Sequence, residues 1–263
     1  MKKEVSILIP HYKTLEMTRL CLNMIRRHTD LDRVEVIVID NGSSDKSTKY
    51  LQELDWITLL IREKVVDESG AQSHANALDD ALERVTTPFF LSIHTDTFFI
   101  NPGWLDFLLE KFKYDDNMAG IGSWKLEVNP LYKRILKYIE TFWQLKIWYP
   151  ILGKGAGSIA GAGNNHYYLR SHCALYKTEI IREYGLGFSD GGQVAGKIMH
   201  QTLLDKGFEM NFLDSNELSK YIRHLNHATV ILNPELHRGG VAKPRQVRRI
   251  KKELKEIESV LGR

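Results

Sequence analysis

The sequence has few cysteines, no long apolar run and no strong excess of one charge. Its 263 residues include two cysteines, Cys21 and Cys173, both in apolar surroundings and outside any Cys-x-x-Cys or Cys/His cluster. This excludes a zinc finger, and we expect two reduced core thiols in a reducing compartment. A chain of this length buries enough surface on folding to be stable without disulfides.

Targeting and spanning signals are also missing. No window reaches the roughly 18 consecutive apolar residues that a bilayer span needs, and the apolar stretch after Lys2 and Lys3 is too short for a signal peptide. We therefore expect a cytoplasmic protein, with peripheral contact at the inner face of the membrane left open. The net charge of +3, from 36 basic and 33 acidic residues, is too small to indicate nucleic-acid binding.

The first half of the chain alternates short β-rich runs with segments of helical period, which is typical of βαβ units and a parallel sheet. Strands are predicted at residues 5–9, 34–39, 58–61 and 89–93. The first helix is predicted after Thr14 as N-cap, because apolar residues recur at positions 17, 20, 21, 24 and 25. The predicted fold class is α/β with a mostly parallel central sheet and helices on both faces.

Polar residues follow three of these strands. His11 and Tyr12 follow the first, Asp40 closes the second, and His94 to Asp96 follow the fourth. In open α/β sheets ligands bind at the carboxyl ends of the strands, so these residues are predicted to converge on one edge.

The second half is less regular. We predict a helix at 101–114, strands at 118–124 and 173–176, and helices from 178 and over 194–206. The aromatic and basic segment 131–151 has three interpretations: an interfacial membrane helix, the lining of an acceptor site, or packing in the core.

The C-terminal segment is basic and amphipathic. From residue 243 to 263, eight Lys or Arg stand against three Glu. Apolar residues recur with 3, 4, 3, 4 spacing, which predicts a helix that docks on the domain, dimerises, or meets anionic lipid.

Four segments, in order, resemble the family 2 glycosyltransferases with a GT-A fold: VSILIPHYK, VIVIDNGSSD, SGAQSHANALDDAL and FFLSIHTDTFFINPGWL. The resemblance covers residues 4–125 well and 165–240 loosely. It implies an inverting, metal-assisted transfer of a sugar from a UDP, GDP or dTDP sugar to an acceptor hydroxyl, in glycan or polysaccharide biosynthesis. It also implies a GT-A domain over 1–240, with a donor half (1–125) and an acceptor half (126–240), followed by a basic helix over 241–263.

The resemblance also implies a site. The nucleotide-sugar-binding residues would be Pro10, His11, Tyr12, Asp40, Gly42, His74, His94, Thr95 and Asp96. A divalent metal, Mn²⁺ or Mg²⁺, would neutralise the diphosphate leaving group, with Asp96 and a late histidine as ligands. His224 has the best spacing, His227 is close behind and His237 is third. The expected partners are the nucleotide-sugar donor and a glycan or lipid-linked acceptor, with a homodimer left open.

Two departures from the family pattern bear on catalysis. His94 stands where the family's metal motif has its first Asp, and Ala195 and Gly196 stand where a Glu-Asp pair would begin a late helix. Asp190, on a glycine-flanked loop, is therefore the predicted base. The alternative is a catalytically inactive nucleotide-sugar or glycan-binding module. A nucleotidyltransferase is disfavoured, because residues 10–13 (PHYK) replace its glycine-rich loop.

Overall fold

The structure is a computed structural model that describes residues 2–63, 65, 67–112, 116–126, 131–148, 166–192, 194–226, 228–232 and 244–261. Within these ranges no helix is both long and apolar enough to cross a membrane.

Nine strands and ten α-helices are found in this part of the chain. The strands are β1 (Val5–His11), β2 (Val34–Asp40), β3 (Thr58–Ile61), β4 (Phe89–Ile93), β5 (Thr97–Phe99), β6 (Met118–Gly122), β7 (Cys173–Lys177), β8 (Glu209–Phe212) and β9 (Ile222–His224). The helices are α1 (Leu15–His28), α2 (Lys46–Gln52), α3 (Gly70–Leu82), α4 (Trp104–Glu110), α5 (Leu131–Trp143), α6 (Thr178–Glu183), α7 (Lys197–Asp205), α8 (Ser215–Leu218), α9 (Ala228–Leu232) and α10 (Pro244–Leu261).

Seven strands form the central sheet in the order β3-β2-β1-β4-β7-β6-β8. Strands β1 to β4 are parallel to one another, whereas β7 is antiparallel to both of its neighbours. The predicted α/β class and mostly parallel sheet are therefore confirmed. Because β7 runs the other way, it begins at the edge where β1, β2 and β4 end.

Helices cover both faces of the sheet because each presents one apolar stripe. In α1 the buried residues include Met17, Leu20, Cys21, Met24 and Ile25, which is the predicted face. The core on this side also contains α4, and the opposite core contains α3 and α7. Thr14 precedes α1 as predicted, but its hydroxyl bonds Thr18 and makes no side-chain cap to the backbone.

A second, two-stranded sheet was not predicted from the sequence. Strand β5 pairs antiparallel with β9, and Thr97 lies opposite His224 in the register. The strands are only three residues long, too short for a period-2 pattern to be recognised. This pairing attaches the late part of the chain to the loop that follows β4.

The two amphipathic segments of the second half behave differently. Helix α10 buries Ile250 and Ile257 and packs against α1 and α9, which agrees with docking on the domain, the first of the three alternatives for this segment. Helix α5 and the π-helical turn after it expose six large apolar side chains among those that the structure describes (Leu136, Tyr138, Ile139, Phe142, Trp143 and Trp148). These six side chains do not form part of the core, so the packing interpretation of this segment is wrong for them.

Candidate active site

The residues after β1 and β2 meet at one edge of the sheet, where His11 and Asp40 lie opposite each other in the register. The His11 ring is 1 % exposed, and its two nitrogens bond the hydroxyls of Thr18 (2.8 Å) and Ser47 (2.7 Å). Burial lowers the pKa of His11, which keeps the ring neutral. Both ring nitrogens of His11 therefore already have hydrogen-bond partners within the protein. A nucleotide at this position would border the main chain and not the His11 ring.

Asp40 is fully buried and closes the turn that follows β2. One carboxylate oxygen accepts a hydrogen bond from the Ser43 amide (2.9 Å), and the other accepts from the Thr48 hydroxyl. Gly42 in this turn has φ 73°, a left-handed conformation that glycine adopts at little cost. Because Asp40 is fully buried, a contact between its carboxylate and a nucleotide sugar, as the resemblance implies, would require the turn around it to move.

The other predicted residues of this edge lie nearby. Pro10 is buried within β1, and Tyr12 is half-buried directly after that strand. Arg62 joins the turn after β2 to α3, because its guanidinium donates to the Asn41 side chain (2.7 Å) and pairs with Asp80 (2.5 Å). The polar groups at this end of the sheet thus bond one another.

The loop after β4 carries a different arrangement. Thr95 and Asp96 are buried, and the β5–β9 pairing brings His224 beside them. One oxygen of Asp96, Oδ2, accepts from the Ala228 amide at 3.3 Å. The other, Oδ1, lies 3.3 Å from Nδ1 of His224 and 3.8 Å from Nδ1 of His94. This buried oxygen has no hydrogen-bond partner among the described residues.

A serine hydroxyl orients the His94 ring through Nε2, the nitrogen farther from Asp96. Nε2 of His94 lies 3.0 Å from the Ser171 hydroxyl, which also lies 2.9 Å from Nε2 of His74. Burial and the neighbouring histidines lower the pKa of His94 well below its usual range, and burial lowers the pKa of His74 to about 4. Both rings are neutral at pH 7, so their nitrogens can offer lone pairs.

Residues before β7 complete the site, and the sequence analysis missed them. His172 stacks on His224 at 4.5 Å between ring centroids and bonds the Ser123 hydroxyl (2.8 Å). Burial lowers the pKa of His172 well below its usual range. The signal was the polar run Arg170-Ser171-His172 before a predicted strand, but only the antiparallel direction of β7 brings that run to this edge.

These side chains line a cavity of about 280 Å³. His74, His94, Asp96, Arg170, His172 and His224 are among its lining residues. Asp96 is the one carboxylate on this wall within the described part of the chain. His74, His94 and Asp96, which the resemblance implied as site residues, thus line one cavity together with His224. His11 and Asp40 are absent from its described lining.

A divalent metal fits this arrangement. One ligand atom from each of His94, Asp96 and His224 lies within 4.8 Å of the others. The unpaired Oδ1 of Asp96 is within 3.8 Å of Nδ1 of both histidines. The hydrogen bond of Ser171 to the far side of His94 is the kind of support that metal-ligating histidines have. The donor set of two imidazoles and one carboxylate suits Mn²⁺ better than Mg²⁺, which prefers oxygen ligands.

The structure does not bring Asp190, the predicted base, to the described wall of this cavity. Its Oδ2 accepts from the Gly187 amide (2.9 Å), and Asp79 on α3 holds the same loop through the amides of Phe188 and Ser189. Ala195, the first of the two residues that stand where the family has its acidic pair, lines the cavity next to Val194. In this conformation Asp190 stabilises a turn. His227 and His237, the alternative ligands, lie outside the described residues.

Comparisons with known proteins agree with this architecture. The model of the family described as glycosyl transferase family 2 matches residues 6–185. The mannosyltransferase PcManGT from Pyrobaculum calidifontis, solved with GDP-Man and Mn²⁺, aligns with 99 % of this chain and 70 % of its own, at 17 % identity and a TM-score of 0.52. Residues 1–349 of S. aureus TarS align with 97 % of this chain and 65 % of their own, at 12 % identity and a TM-score of 0.54. These likenesses show the GT-A fold.

A curated relative is more similar in sequence. The chain is 29 % identical over 229 residues to a teichoic acid poly(glycerol phosphate) polymerase from Staphylococcus epidermidis. The alignment covers 85 % of this chain but 27 % of that protein, so the chain spans about a quarter of this relative's length.

Proposed function

We propose that this chain, which belongs to glycosyl transferase family 2, transfers a sugar from a nucleotide diphosphate sugar to an acceptor hydroxyl in glycan or polysaccharide biosynthesis. The observation that carries the proposal is the cluster of His94, Asp96 and His224, whose three ligand atoms converge at the carboxyl edge of the sheet. A donor diphosphate bound at this edge would reach the cluster.

The chemistry of the leaving group explains the need for such a cluster. Breaking the anomeric bond releases a nucleoside diphosphate, and negative charge develops on its oxygens. A divalent cation held by these residues would supply positive charge beside the diphosphate. The Mn²⁺ in the complex of the Pyrobaculum calidifontis mannosyltransferase supports Mn²⁺ as the metal to test first.

This chain's own residues would orient the donor. Arg170 lines the cavity, and its guanidinium stacks at 4.7 Å over Trp124, which holds a fixed positive charge on the wall. His74 and His172 line the same cavity. We infer inversion at the anomeric carbon from the family resemblance alone.

A second candidate function is a catalytically inactive binding module. It is favoured by one observation: besides Asp96, the described lining residues of the cavity include no carboxylate that could deprotonate an acceptor. Such a module would bind the nucleotide sugar and leave it intact.

A ligand panel separates the two functions. Unfolding midpoints are measured with UDP, GDP, dTDP and CMP sugars, each with Mn²⁺, with Mg²⁺ or with EDTA, because a ligand that binds the native state raises its stability by mass action. Donor hydrolysis is measured in the same samples. A transferase should be stabilised by one nucleotide sugar in a metal-dependent way and should release the nucleoside diphosphate slowly.

Asp96→Asn is the matched test of the cluster, and Asp55→Asn, at an exposed position, is its control. The first should abolish metal-dependent stabilisation, and the second should preserve it. Stabilisation without turnover in every sample would favour the binding module. Absence of binding by any nucleotide sugar would overturn both functions.

We also propose peripheral contact with an anionic membrane through α5. Six large apolar side chains of residues 136–148 are exposed, and residues 131–148 contain four Lys or Arg against one Glu. Trp143→Ser should weaken co-sedimentation with phosphatidylglycerol vesicles, whereas Ile61→Ser, at an exposed apolar residue of β3, should not. Binding to neutral vesicles alone, or a dimer that Trp143→Ser dissociates, would contradict the proposal.

A further inference from the structure

A second cavity adjoins the first and has no role in the chemistry described so far. It measures about 300 Å³ and shares Tyr168 and Val194 with the cavity that contains the metal cluster. Its wall includes Tyr167, Lys197, His200 and Gln201. Because the two cavities share a wall, ligands bound in both would lie next to each other.

His200 presents an unused hydrogen-bond donor in this cavity. The side chain is 1 % exposed, and its Nδ1 accepts a hydrogen bond from the Leu169 amide at 3.4 Å. Since Nδ1 is the acceptor, the proton of the neutral ring is on Nε2. That nitrogen is buried and has no partner among the described residues. A ligand oxygen would satisfy it.

Positive charge lies beside this donor. Lys197 is the first residue of α7, a nine-residue helix, and no ion pair of Lys197 is found in the described part of the chain. The helix N-terminus carries partial positive charge, and its N-cap, Gly196, has no side chain that could cap the first turn. No carboxylate is among the described lining residues of this cavity.

We propose that this second cavity binds a phosphate group carried by the acceptor. Lys197, the start of α7 and Nε2–H of His200 all favour an oxyanion, whereas an uncharged sugar would leave the lysine without a partner. Gln201 gives its amide N–H to Asp205 (2.8 Å) and keeps its carbonyl oxygen for a hydroxyl of the acceptor. The acceptor assignment rests on the proposed transferase function, while the binding of phosphate does not.

The test measures binding of inorganic phosphate and sn-glycerol 3-phosphate by calorimetry in the presence of EDTA, with glycerol as the uncharged comparison. Both anions should bind and glycerol should not. Lys197→Gln and His200→Phe should each weaken binding at least tenfold. Lys220→Gln, which removes the same charge at an exposed position, should leave it unchanged, as should His94→Ala in the first cavity.

His200→Gln guards against a folding defect, because its amide restores an N–H donor near the position of Nε2. It should recover most of the affinity that His200→Phe loses. Equal phosphate affinity in wild type, Lys197→Gln and His200→Phe would overturn the proposal, and so would absence of phosphate binding.

Nucleotide-sugar binding with Mn²⁺ is measured in parallel on the same variants. If nucleotide sugars bind and phosphate does not, the phosphate site is refuted and the proposed function stands. If phosphate binds through Lys197 and His200 and no nucleotide sugar binds, the anion site stands, but its assignment to an acceptor is refuted together with the proposed function.

Discussion

The polar groups at the ends of β1 and β2 differ from those after β4 in whether they have hydrogen-bond partners within the protein. After β1 and β2, the His11 ring and both oxygens of Asp40 bond neighbouring side chains or amides. After β4, Oδ1 of Asp96 is buried beside two histidines without a hydrogen-bond partner among the described residues. Buried polar groups are normally satisfied, so the groups at β1 and β2 maintain the fold and those after β4 retain binding capacity.

A polar residue that follows a strand can therefore either maintain the fold or bind a ligand. Its position at the carboxyl end of a parallel strand brings it to the site, but its partners decide its role. Substitutions at the two places should therefore separate stability from ligand binding.

The largest effect on stability is expected from Asp40→Ala. The substitution leaves the Ser43 amide and the Thr48 hydroxyl without their acceptor, which should lower the free energy of unfolding by about 2 to 4 kcal/mol. Urea unfolding provides the measurement. Asp45→Ala is the control in the same turn, because it removes an exposed N-cap of α2 and should cost about 1 kcal/mol. A loss below 1 kcal/mol for Asp40→Ala would refute the structural role.

Buried His200 should make stability depend on pH. Burial lowers its pKa from about 6.5 to about 4, so the unfolded chain binds more protons and stability falls as the pH falls through this range. Between pH 7 and pH 4.5, His200→Gln should lose about 2 kcal/mol less free energy of unfolding than wild type does. If the free energy of unfolding fell equally with pH in the two proteins, His200 would not be kept neutral by the fold.

Metal preference should respond to His94→Asp. The change replaces one imidazole ligand by a carboxylate, and oxygen-rich sites favour Mg²⁺. The affinity ratio of Mg²⁺ to Mn²⁺, measured by competition, should rise about tenfold. His74 shares the Ser171 hydroxyl with His94 but does not belong to the metal cluster. His74→Asn should therefore change the affinity ratio less than threefold. An unchanged ratio in His94→Asp would argue against His94 as a ligand.

The smallest effect is expected from Asp190→Asn. Asparagine can still accept the hydrogen bond from the Gly187 amide through its carbonyl oxygen, so the loop should keep its conformation. Donor hydrolysis should change less than threefold. A loss above a hundredfold with unchanged stability would instead support the sequence prediction that Asp190 is the base.

Much of the fold could be predicted from local pattern. The bounds of β3 and β4 agree with the predicted residues, because short buried runs between turn signals have few alternatives. Element ends were less certain: the helix predicted over 101–114 is Trp104–Glu110 in the structure. The small sheet of β5 and β9 was missed, since its pairing joins segments far apart in the chain.

The candidate site was predictable in part. The family resemblance implied Asp96 and His224 as metal ligands and His94 as a donor-binding residue, and the structure brings these three side chains together. Ser171, His172 and His200 were not found, because nothing in their local sequence indicates which edge or cavity they face.

The sequence by itself determined the α/β class and the order of the elements in the first half, because hydrophobic period and turn residues are local properties of the chain. The resemblance of its motifs pointed to the family. The tertiary structure decided which polar groups are satisfied. Whether Asp40 closes a turn while Asp96 keeps a free oxygen depends on partners brought close by strand direction and register. The free energy of a buried polar group is set by those partners and not by the residue type alone.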